Sequence, residues 1–477
     1  MVFTEEVFLF YFLPLALLVY YLLPYRKNPK PGQSRYLARN LWLTIAGYVF
    51  YSWFEPWFVL PMLFTNITDY FLGIQLGRTD LSPSKRKAML VISLCINIGL
   101  LAVFKYGVFT QVNLNHLLSV VGAPTFRVLR IAFPIGISFY TFHSMSYIID
   151  VYRGLRPVRA FADFSCFVSL FPQLVAGPIL RYHVLAPQLQ ERTHTPALFA
   201  RGVVLFFLGF AMKILLANPV GQIADAAFAA AGPRGLDAWW GVLAYAFQIY
   251  FDFNGYSVMA LGLGHLFGFD LLRNFNAPYH AESITDFWRR WHLSLSGWLR
   301  EYLYFPLGGN RKGERRTYIN LAIVMLLGGF WHGAEWKFLF WGGIHGGMLG
   351  LERWGGRKPF YANSPRVLRV GVTFVIVLIT WVFFRADGLP HAFHYLGAMF
   401  SIAKPSAYAS FLTPELYGRA QFAQMAVCAV LVIQPLQAYE YVNKLNWGRF
   451  LLAFALFGLA LCMMYTQAFN PFLYFQF

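Results

Sequence analysis

The chain has 477 residues, of which 58% are apolar and 13% charged, whereas an ordinary soluble domain carries about 25% charged residues. This composition excludes a water-soluble domain and predicts a membrane protein. The 39 Lys and Arg exceed the 21 Asp and Glu by 18 charges, an excess that in a soluble protein would suggest nucleic acid. In a membrane protein it indicates cytoplasmic loops, so we expect contact with anionic membrane lipid and not with nucleic acid.

Apolar stretches of near-spanning length recur along the whole chain. At about 20 residues per spanning helix, they predict an all-α polytopic membrane protein with about ten to twelve transmembrane helices. We see no internal repeat and no long hydrophilic segment, so we predict a single integral membrane domain over residues 1–477. The stretches are 7–25, 40–60, 62–77, 88–108, 131–151, 198–217, 238–268, 317–334, 336–351, 367–386, 421–439 and 448–469.

The distribution of basic residues predicts how the chain crosses the membrane. Basic clusters follow the first, third and fifth apolar stretches, and the largest cluster lies at 289–316. Loops rich in Lys and Arg remain on the cytoplasmic side, so we expect both termini on the opposite side. The first stretch has acids before it and bases after it, the reverse of a secretory signal, and we expect it to stay as a span.

Two segments depart from the pattern of simple spans. Residues 160–182 carry Pro172, Gly177 and Pro178 inside an apolar run, which predicts a re-entrant segment, because broken backbone is tolerated at membrane depth only inside protein or beside a cavity. Residues 283–305 form an amphipathic pattern that predicts one interfacial helix along the membrane face. Its apolar stripe consists of Phe287, Trp291, Leu295 and Trp298.

His332 is the sharpest feature of the sequence. It ends an uncharged run, Leu321 to Trp331, and Gly328, Gly329 and Gly333 beside it permit close packing. An ionisable residue within a membrane segment is a functional candidate by default, and a neutral imidazole can act as a base. The alternative is a core histidine that is satisfied by a backbone carbonyl.

Two further histidines are weaker candidates on local sequence. His292 lies among Trp288, Arg289, Arg290 and Trp291, where a histidine can simply contact lipid headgroups. His345 follows His332 by thirteen residues, again between glycines. We interpret His345 as a packing residue.

A basic run near one face carries Arg289, Arg290 and Arg300 and continues to Arg316. It predicts a binding site for an anionic donor, such as the phosphates of coenzyme A or an acidic carrier protein. Ordinary positive-inside topology explains the same charges equally well.

The motifs of several other chemistries are missing from the sequence. It contains no Walker loop, no dinucleotide fingerprint and no HExxH motif. The cysteines lie far apart in apolar runs without metal-ligand spacing, so we expect buried small hydrophobes and no metal site. These residues are Cys95, Cys166, Cys428 and Cys462.

The C-terminal residues 470–477 form an uncharged tail that is rich in aromatic side chains. Such a tail is costly in water and should be buried, most simply as an anchor at the membrane interface. A sharper hypothesis is that Tyr474 enters a cavity and offers its hydroxyl to an acyl group, because an activated phenol can be a covalent nucleophile.

Several long motifs make the chain resemble the membrane-bound O-acyltransferases, and within them the bacterial branch that includes the alginate O-acetyltransferases. The resemblance runs from the first residues to the last. The motifs are PIGISFYTFHSMSYIIDVYRG (134–154), FPQLVAGPILRY (171–182), QIYFDFNGYS (248–257), NFNAPYHAESITDFWRRWHLSLSGWLREYLYFPLGGNRKG (274–313) and LLGGFWHGAEW (326–336).

The resemblance implies a ring of membrane helices around a central channel. His332 matches the catalytic histidine of the family, and His292 matches the histidine of its WRRWH motif. The ending FLYFQF resembles an aromatic motif in which a tyrosine, here Tyr474, is thought to relay the acyl group. Relatives usually have Asp where this chain has Val258 and commonly Ser at Asn254, which leaves the exact substrate or partner open.

The resemblance also implies an activity and its partners. We expect acetyl-CoA as the donor substrate, no bound cofactor, and transfer of acetyl across the bacterial inner membrane for O-acetylation of an exopolysaccharide, with alginate first and cellulose or another surface polymer as alternatives. The implied partners are a periplasmic SGNH-type, esterase-like acetyltransferase and a polysaccharide synthesis or export complex. Rival hypotheses are a transporter or flippase for an anionic lipid or polysaccharide, and a scaffold.

Overall fold

The structure is a computed structural model that describes residues 1–30, 33–407, 409–467 and 473. Across this part of the chain the regular elements are helices and no strand is present, which confirms the predicted all-α class. Every apolar stretch predicted from the sequence overlaps one of these helices.

The chain forms two compact units. The first comprises Met1–Val203 and Ala260–Leu272, and the second comprises Val204–Met259 and Arg273–Phe477. Helices Pro196–Ala229 and Gly235–Leu266 contribute residues to both. The single domain over 1–477 stays a prediction.

The remaining helices divide between the two units. Those of the first unit are Val7–Leu22, Leu37–Ser52, Pro56–Leu76, Pro83–Val120, Ile137–Tyr152, Phe161–Ser169, Phe171–Leu174 and Tyr182–Gln190. Those of the second are Ile284–Trp288, Leu293–Leu299, Arg300–Tyr304, Glu314–His332, Trp336–Trp354, Arg366–Arg385, Leu389–Met399, Ala409–Tyr417, Arg419–Ile433, Ala438–Asn443 and Trp447–Thr466. Short 3₁₀ turns connect some of them, as at Pro278–His280.

Among the described residues, five helices are long and apolar enough to cross a membrane, and a pair bent by 61° would make a sixth. This number is smaller than the ten to twelve expected from composition. Helices that pack against protein carry polar residues at buried positions, which lowers their mean hydropathy below that of a lipid-facing span. Gly235–Leu266 shows this, since it buries Gln248, Asp252 and Asn254. The five are Pro56–Leu76, Pro83–Val120, Pro196–Ala229, Arg366–Arg385 and Trp447–Thr466.

The cysteines divide into two environments. Cys166 and Cys428 are buried, as predicted, but Cys95 and Cys462 are exposed. The prediction was wrong for the latter pair because their helices are mostly uncovered by protein: only 11% of the apolar window of Trp447–Thr466 is buried. At these two positions the apolar neighbours in the sequence indicate a helix surface suited to contact with lipid, and not burial within the protein.

The predicted re-entrant segment is a broken helix. Helix Phe161–Ser169 is followed by a single turn at Phe171–Leu174, and residues 163–180 are buried throughout. Side chains of helix Ile137–Tyr152 satisfy its backbone: His143 Nε2 accepts the Leu180 N–H at 3.3 Å, and Ser146 Oγ accepts the Tyr182 N–H at 3.1 Å. The break is thus compatible with a position inside protein.

The prediction of one continuous helix over 283–305 was wrong. The segment forms Ile284–Trp288, Leu293–Leu299 and the π-helical turn Arg300–Tyr304. The predicted apolar stripe is nevertheless buried along its length. The stripe is contained in the protein rather than laid on a membrane surface.

The break at His292 has a tertiary cause. His292 has a left-handed backbone with φ of 45°, which cannot continue an α-helix. Asn274 replaces the missing helical partners: its carbonyl oxygen accepts the Leu293 N–H at 2.9 Å, and its Oδ1 accepts the Ser294 N–H at 3.3 Å. A residue nearly twenty positions away therefore caps the second helix.

Candidate active site

His332 is the last residue of helix Glu314–His332, which packs against Trp336–Trp354 as a helical hairpin. A Cβ at Gly329 would overlap the carbonyl oxygen of Phe338, and a Cβ at Gly333 would overlap the Phe338 ring. These two glycines are required for the close approach, as the sequence predicted. The short connection between the helices fixes His332 where the hairpin turns.

Aromatic rings surround the His332 side chain. Its ring centroid lies 5.0 Å from that of Trp331, 5.2 Å from Phe384 and 5.5 Å from Trp341. The rings of Phe384 and Trp341 are arranged edge to face with the imidazole, a favourable geometry for aromatic pairs. His332 is 6% exposed, so this aromatic cage shields it from solvent.

His292 lies in the same place. It is fully buried, and its ring centroid is 6.2 Å from His332, 6.0 Å from Trp331 and 4.7 Å from Phe253. The structure therefore brings together two histidines separated by forty positions in the sequence. Full burial excludes the alternative in which His292 contacts lipid headgroups.

The chain segment before His292 is fixed by Glu352, a buried residue of helix Trp336–Trp354. Its carboxylate accepts the N–H of Ile284 at 2.7 Å and that of Thr285 at 2.9 Å. A carboxylate at a helix N-terminus satisfies free N–H groups and complements the helix dipole. The sequence analysis missed Glu352, because nothing local in the sequence links it to a helix about seventy residues earlier.

A second cap at the same helix was readable from the sequence. Ser283 Oγ accepts the Asp286 N–H at 3.0 Å, and Asp286 Oδ2 accepts the Glu282 N–H at 3.2 Å. The arrangement differs from a standard capping box, because the Asp286 carboxylate accepts the N–H of the residue before the N-cap Ser283 and not that of Ser283 itself. It marks the start of the helix that leads to His292.

The three predicted donor-binding arginines differ in their surroundings. Arg290 donates to Asp286 Oδ1 at 2.9 Å and to the carbonyl oxygen of Asn276 at 3.4 Å. Arg289 and Arg300 are exposed. Arg290 therefore stabilises the local fold, whereas Arg289 and Arg300 are accessible to a ligand.

An ion-pair cluster borders the same segment and joins Glu282, which lies outside the predicted spans, to the first turn of helix Arg366–Arg385. Glu282 pairs with Arg369 at 2.6 Å and with Arg366 at 3.0 Å. The hydrogen bond from Arg369 and the positive charge of both guanidinium groups hold the pKa of the Glu282 carboxyl below its usual value. Glu282 consequently remains ionised near neutral pH.

His345 has the environment of a packing residue. Its Nδ1 accepts the Trp288 indole N–H at 3.3 Å, and its Nε2 lies 3.2 Å from Thr380 Oγ1. Thr380 Oγ1 in turn donates to the carbonyl oxygen of Val377 at 2.8 Å. The chain of donors and acceptors is complete with a neutral imidazole protonated on Nε2.

Trp341 contributes an indole N–H to the aromatic cage around His332. The sequence analysis did not select this residue. The residue is 1% exposed, and its indole Nε1 has no hydrogen-bond acceptor among the described residues. A buried donor without a partner costs free energy and calls for an explanation. The Trp among glycines in FWGGIHGG was its only sequence signal.

Tyr474 lies outside the described residues, but its neighbour Leu473 is described and is 3% exposed. Val258 and Asn254 are both buried on helix Gly235–Leu266. Within the described part of the chain, no group of three or more His, Cys, Asp or Glu side chains is placed to hold a metal ion.

Comparison with known proteins defines the class of protein. The model of the membrane-bound O-acyltransferase family matches residues 45–386, a region that contains both histidines and the arginines discussed above. The chain belongs to this family and is an O-acyltransferase of the membrane.

Its relatives include several bacterial polymer-modifying enzymes. The probable alginate O-acetylase of Azotobacter vinelandii is 46% identical over 402 residues, covering 84% of this chain and 78% of that protein. The protein of the same description from Pseudomonas putida is 40% identical over the full length of both chains. The peptidoglycan O-acetyltransferase of Helicobacter pylori is 33% identical over all of this chain and 98% of its own.

Proposed function

We propose that the protein takes an acetyl group from cytoplasmic acetyl-CoA and passes it across the bacterial inner membrane for O-acetylation of alginate or a similar exopolysaccharide. The observation that carries this proposal is the pair of buried histidines, His332 and His292, in one aromatic cage. Support for the polymer comes from relatives at 40–46% identity that are described as alginate O-acetylases.

For the donor, we assign Arg289 and Arg300 to the phosphates of coenzyme A. Both are exposed and belong to the basic run that the positive-inside rule puts on the cytoplasmic side. Guanidinium groups bind phosphate with two parallel hydrogen bonds. Arg290 acts indirectly, since its ion pair with Asp286 stabilises the turn before His292.

For the first transfer, His332 is the general base. It removes the proton from the acceptor hydroxyl, for which we propose Tyr474, and the phenolate oxygen attacks the thioester carbonyl carbon. As the tetrahedral intermediate collapses, the C–S bond breaks and the coenzyme A thiolate takes the proton back from His332. The products are acetyl-tyrosine and free coenzyme A. General-base catalysis of this kind contributes about 10²–10⁴ in rate.

The tetrahedral intermediate needs a hydrogen-bond donor for its oxyanion. We assign this role to the Trp341 indole N–H, because it is buried beside His332 and has no acceptor among the described residues. His292 then acts as a positioning residue beside the His332 ring.

In the second transfer, the acetyl group leaves the tyrosine for a hydroxyl of a periplasmic SGNH-type acetyltransferase, which delivers it to the polymer. The nucleophilic oxygen loses its proton and forms the new ester bond, and the phenolate of the tyrosine takes up a proton. These two transfer steps require the C-terminus on the periplasmic side, in agreement with the predicted topology. The protein thus serves a polysaccharide synthesis or export complex.

A direct assay tests the proposed function. Purified protein in lipid vesicles should release coenzyme A from acetyl-CoA labelled in its acetyl group and retain the label covalently. Addition of a periplasmic partner and polymer should move the label to the polymer. Release of no coenzyme A under any of these conditions, with movement of lipid or polysaccharide across the vesicle instead, would favour the transporter hypothesis.

The polymer is tested separately. Expression in a strain that lacks its own alginate O-acetylase should restore ester-linked acetate on alginate, measured by NMR of the purified polymer. The Helicobacter pylori relative suggests the alternative outcome, in which acetate appears on peptidoglycan and the alginate remains unmodified. That result would keep the acyltransferase chemistry and overturn the assigned polymer.

A further inference from the structure

The C-terminal segment is tied to the protein at two described residues beyond the last helix. Gln467 is the first, directly after helix Trp447–Thr466. Its Oε1 accepts the Asn218 side-chain N–H at 2.9 Å, and its Nε2 donates to the carbonyl oxygen of Ile214 at 3.3 Å. Both partners lie at the π-helical segment Met212–Ala217 or directly after it.

Leu473 is the second point of attachment. Its N–H donates to Asp252 Oδ2 at 2.9 Å, and its side chain is part of the same buried apolar cluster as Trp341 and Phe384 of the histidine cage. Leu473 is thus held both by a backbone hydrogen bond and by packing.

The acceptor of this hydrogen bond belongs to a buried ion pair. Lys213 Nζ lies 2.7 Å from Asp252 Oδ1, and the two side chains are 4% and 2% exposed. Removing two charges from water is costly and contributes little net stability compared with apolar residues of the same volume. Packing alone therefore does not explain an ion pair at this position.

Several residues of this arrangement lie close together in the chain. Lys213 and Ile214 are neighbours in the π-helical segment Met212–Ala217, and Asn218 follows that segment directly. Single π-helical turns within α-helices are often found at functional sites. The tail, the ion pair and the irregular helical turn form one connected arrangement.

We infer that the Lys213–Asp252 pair anchors the C-terminal tail at Leu473, the residue that precedes Tyr474 in the sequence. Lys213 fixes the Asp252 carboxylate so that one oxygen is directed to the Leu473 N–H. Both are positioning residues, because they act through the tail. The effect on acetylation rests on the proposed relay by Tyr474, whereas the anchoring is measured on the tail itself.

The test replaces the ion pair in two ways that differ in the hydrogen-bond acceptor. Lys213→Met with Asp252→Leu keeps the branched shape of the side chain at position 252 and removes both charges and the acceptor for Leu473. Lys213→Met with Asp252→Asn removes the same charges but retains an amide oxygen as acceptor. Neither variant leaves an isolated buried charge, which would be strongly destabilising.

The first readout is trimming of the C-terminus by a carboxypeptidase that also releases proline, because Pro471 lies in the tail, followed by mass spectrometry of the intact protein. In wild type and in the Asn variant, trimming should stop before Leu473 is removed. In the variant with Asp252→Leu, trimming should continue to Gln467, and Leu473 should be removed at least ten-fold faster than in wild type. Equal protection of Leu473 in the Leu variant and the Asn variant would overturn the inference.

The second readout is acetyl transfer. The variant with Asp252→Leu should lose as much activity as Tyr474→Phe. Combining it with Tyr474→Phe should lose no more activity than either change alone. The variant with Asp252→Asn should recover most of the rate. Non-additivity of this kind identifies residues that act as one unit. If Tyr474→Phe retains full activity while the trimming difference persists, the relay fails and the anchor stands.

A third variant provides the test if the protein with Lys213→Met and Asp252→Leu does not fold. Leu473→Pro removes the donor N–H without altering the ion pair, and Leu473→Met keeps that N–H. The Pro variant should be trimmed to Gln467 and the Met variant should resemble wild type. Wild-type trimming of Leu473→Pro would also overturn the inference.

Discussion

Two buried histidines on one helical hairpin have opposite environments. His345, in the middle of helix Trp336–Trp354, is hydrogen-bonded at both ring nitrogens: Nδ1 accepts the Trp288 indole N–H, and Nε2 pairs with Thr380 Oγ1. His332, at the end of the preceding helix, has aromatic rings and a second histidine around it. Trp341 separates the two, with its ring centroid 5.5 Å from His332 and 4.8 Å from His345.

The difference shows how the same residue type serves two purposes. A side chain in a complete hydrogen-bond chain is fixed in one protonation state, and changing that state would break the chain. A catalytic base has to exchange a proton with a substrate. We therefore expect His345 to serve stability and propose His332 as the catalytic base.

The largest expected effect is at His332. His332→Ala should reduce acetyl transfer by about 10²–10⁴, the usual contribution of a general base, without preventing membrane insertion. His332→Gln should lose as much, since it restores volume but not basicity. The measurement is coenzyme A release by purified protein. Full acetylation of the polymer by the Ala variant would contradict the assignment.

The next effect is at Trp341, the residue between the two histidines. Trp341→Phe keeps an aromatic ring but removes the indole N–H, and should lower kcat by about 10²–10³ if that group stabilises the oxyanion. KM for the donor should change little. Trp381→Phe is the matched control, because Trp381 stacks on Trp341 at 5.9 Å outside the His332 contacts. Equal kcat values for the two variants would refute the role.

The third effect concerns donor binding. Substituting both Arg289 and Arg300 by Ala should raise KM for acetyl-CoA about ten-fold, equivalent to about 1.4 kcal/mol, because the lost contacts are to phosphate. Arg290→Ala should instead lower the thermal stability, since it breaks the pair with Asp286. Arg311→Ala, in the same basic run, serves as the charge control. If the control raises KM by the same factor, the effect comes from general attraction between the basic run and the anionic donor, and not from phosphate contacts of Arg289 and Arg300.

The smallest effect on chemistry is expected at His345. His345→Phe leaves the Trp288 N–H without its acceptor and should destabilise the protein by about 1–3 kcal/mol, seen as a lower unfolding temperature in detergent. Its kcat per folded molecule should stay near the wild-type value. Thr380→Val tests the other end of the same hydrogen-bond chain and should behave alike. A loss of kcat in both variants comparable to that of His332→Ala would remove the distinction between the histidines.

Much of the site was readable from the sequence because its signals are local. A histidine at the end of an uncharged run with glycines beside it stands out in a chain with 13% charged residues. The apolar stripe of 283–305 was visible in the sequence and predicted a helix along the membrane face, whereas its residues are buried in the protein. It did not predict the helix break, because the left-handed backbone of His292 depends on Asn274, which replaces the lost helical hydrogen bonds.

Composition by itself determined that this protein lies in a membrane and is helical, since a chain so poor in charge can satisfy its backbone in lipid only within regular structure. The motifs by themselves determined the family. Tertiary structure decided which buried groups meet. It brings His292 and Trp341 to His332, and separately it brings the Lys213–Asp252 pair to the Leu473 N–H. These residues are far apart in sequence, and only packing brings them within hydrogen-bond or ring-contact distance.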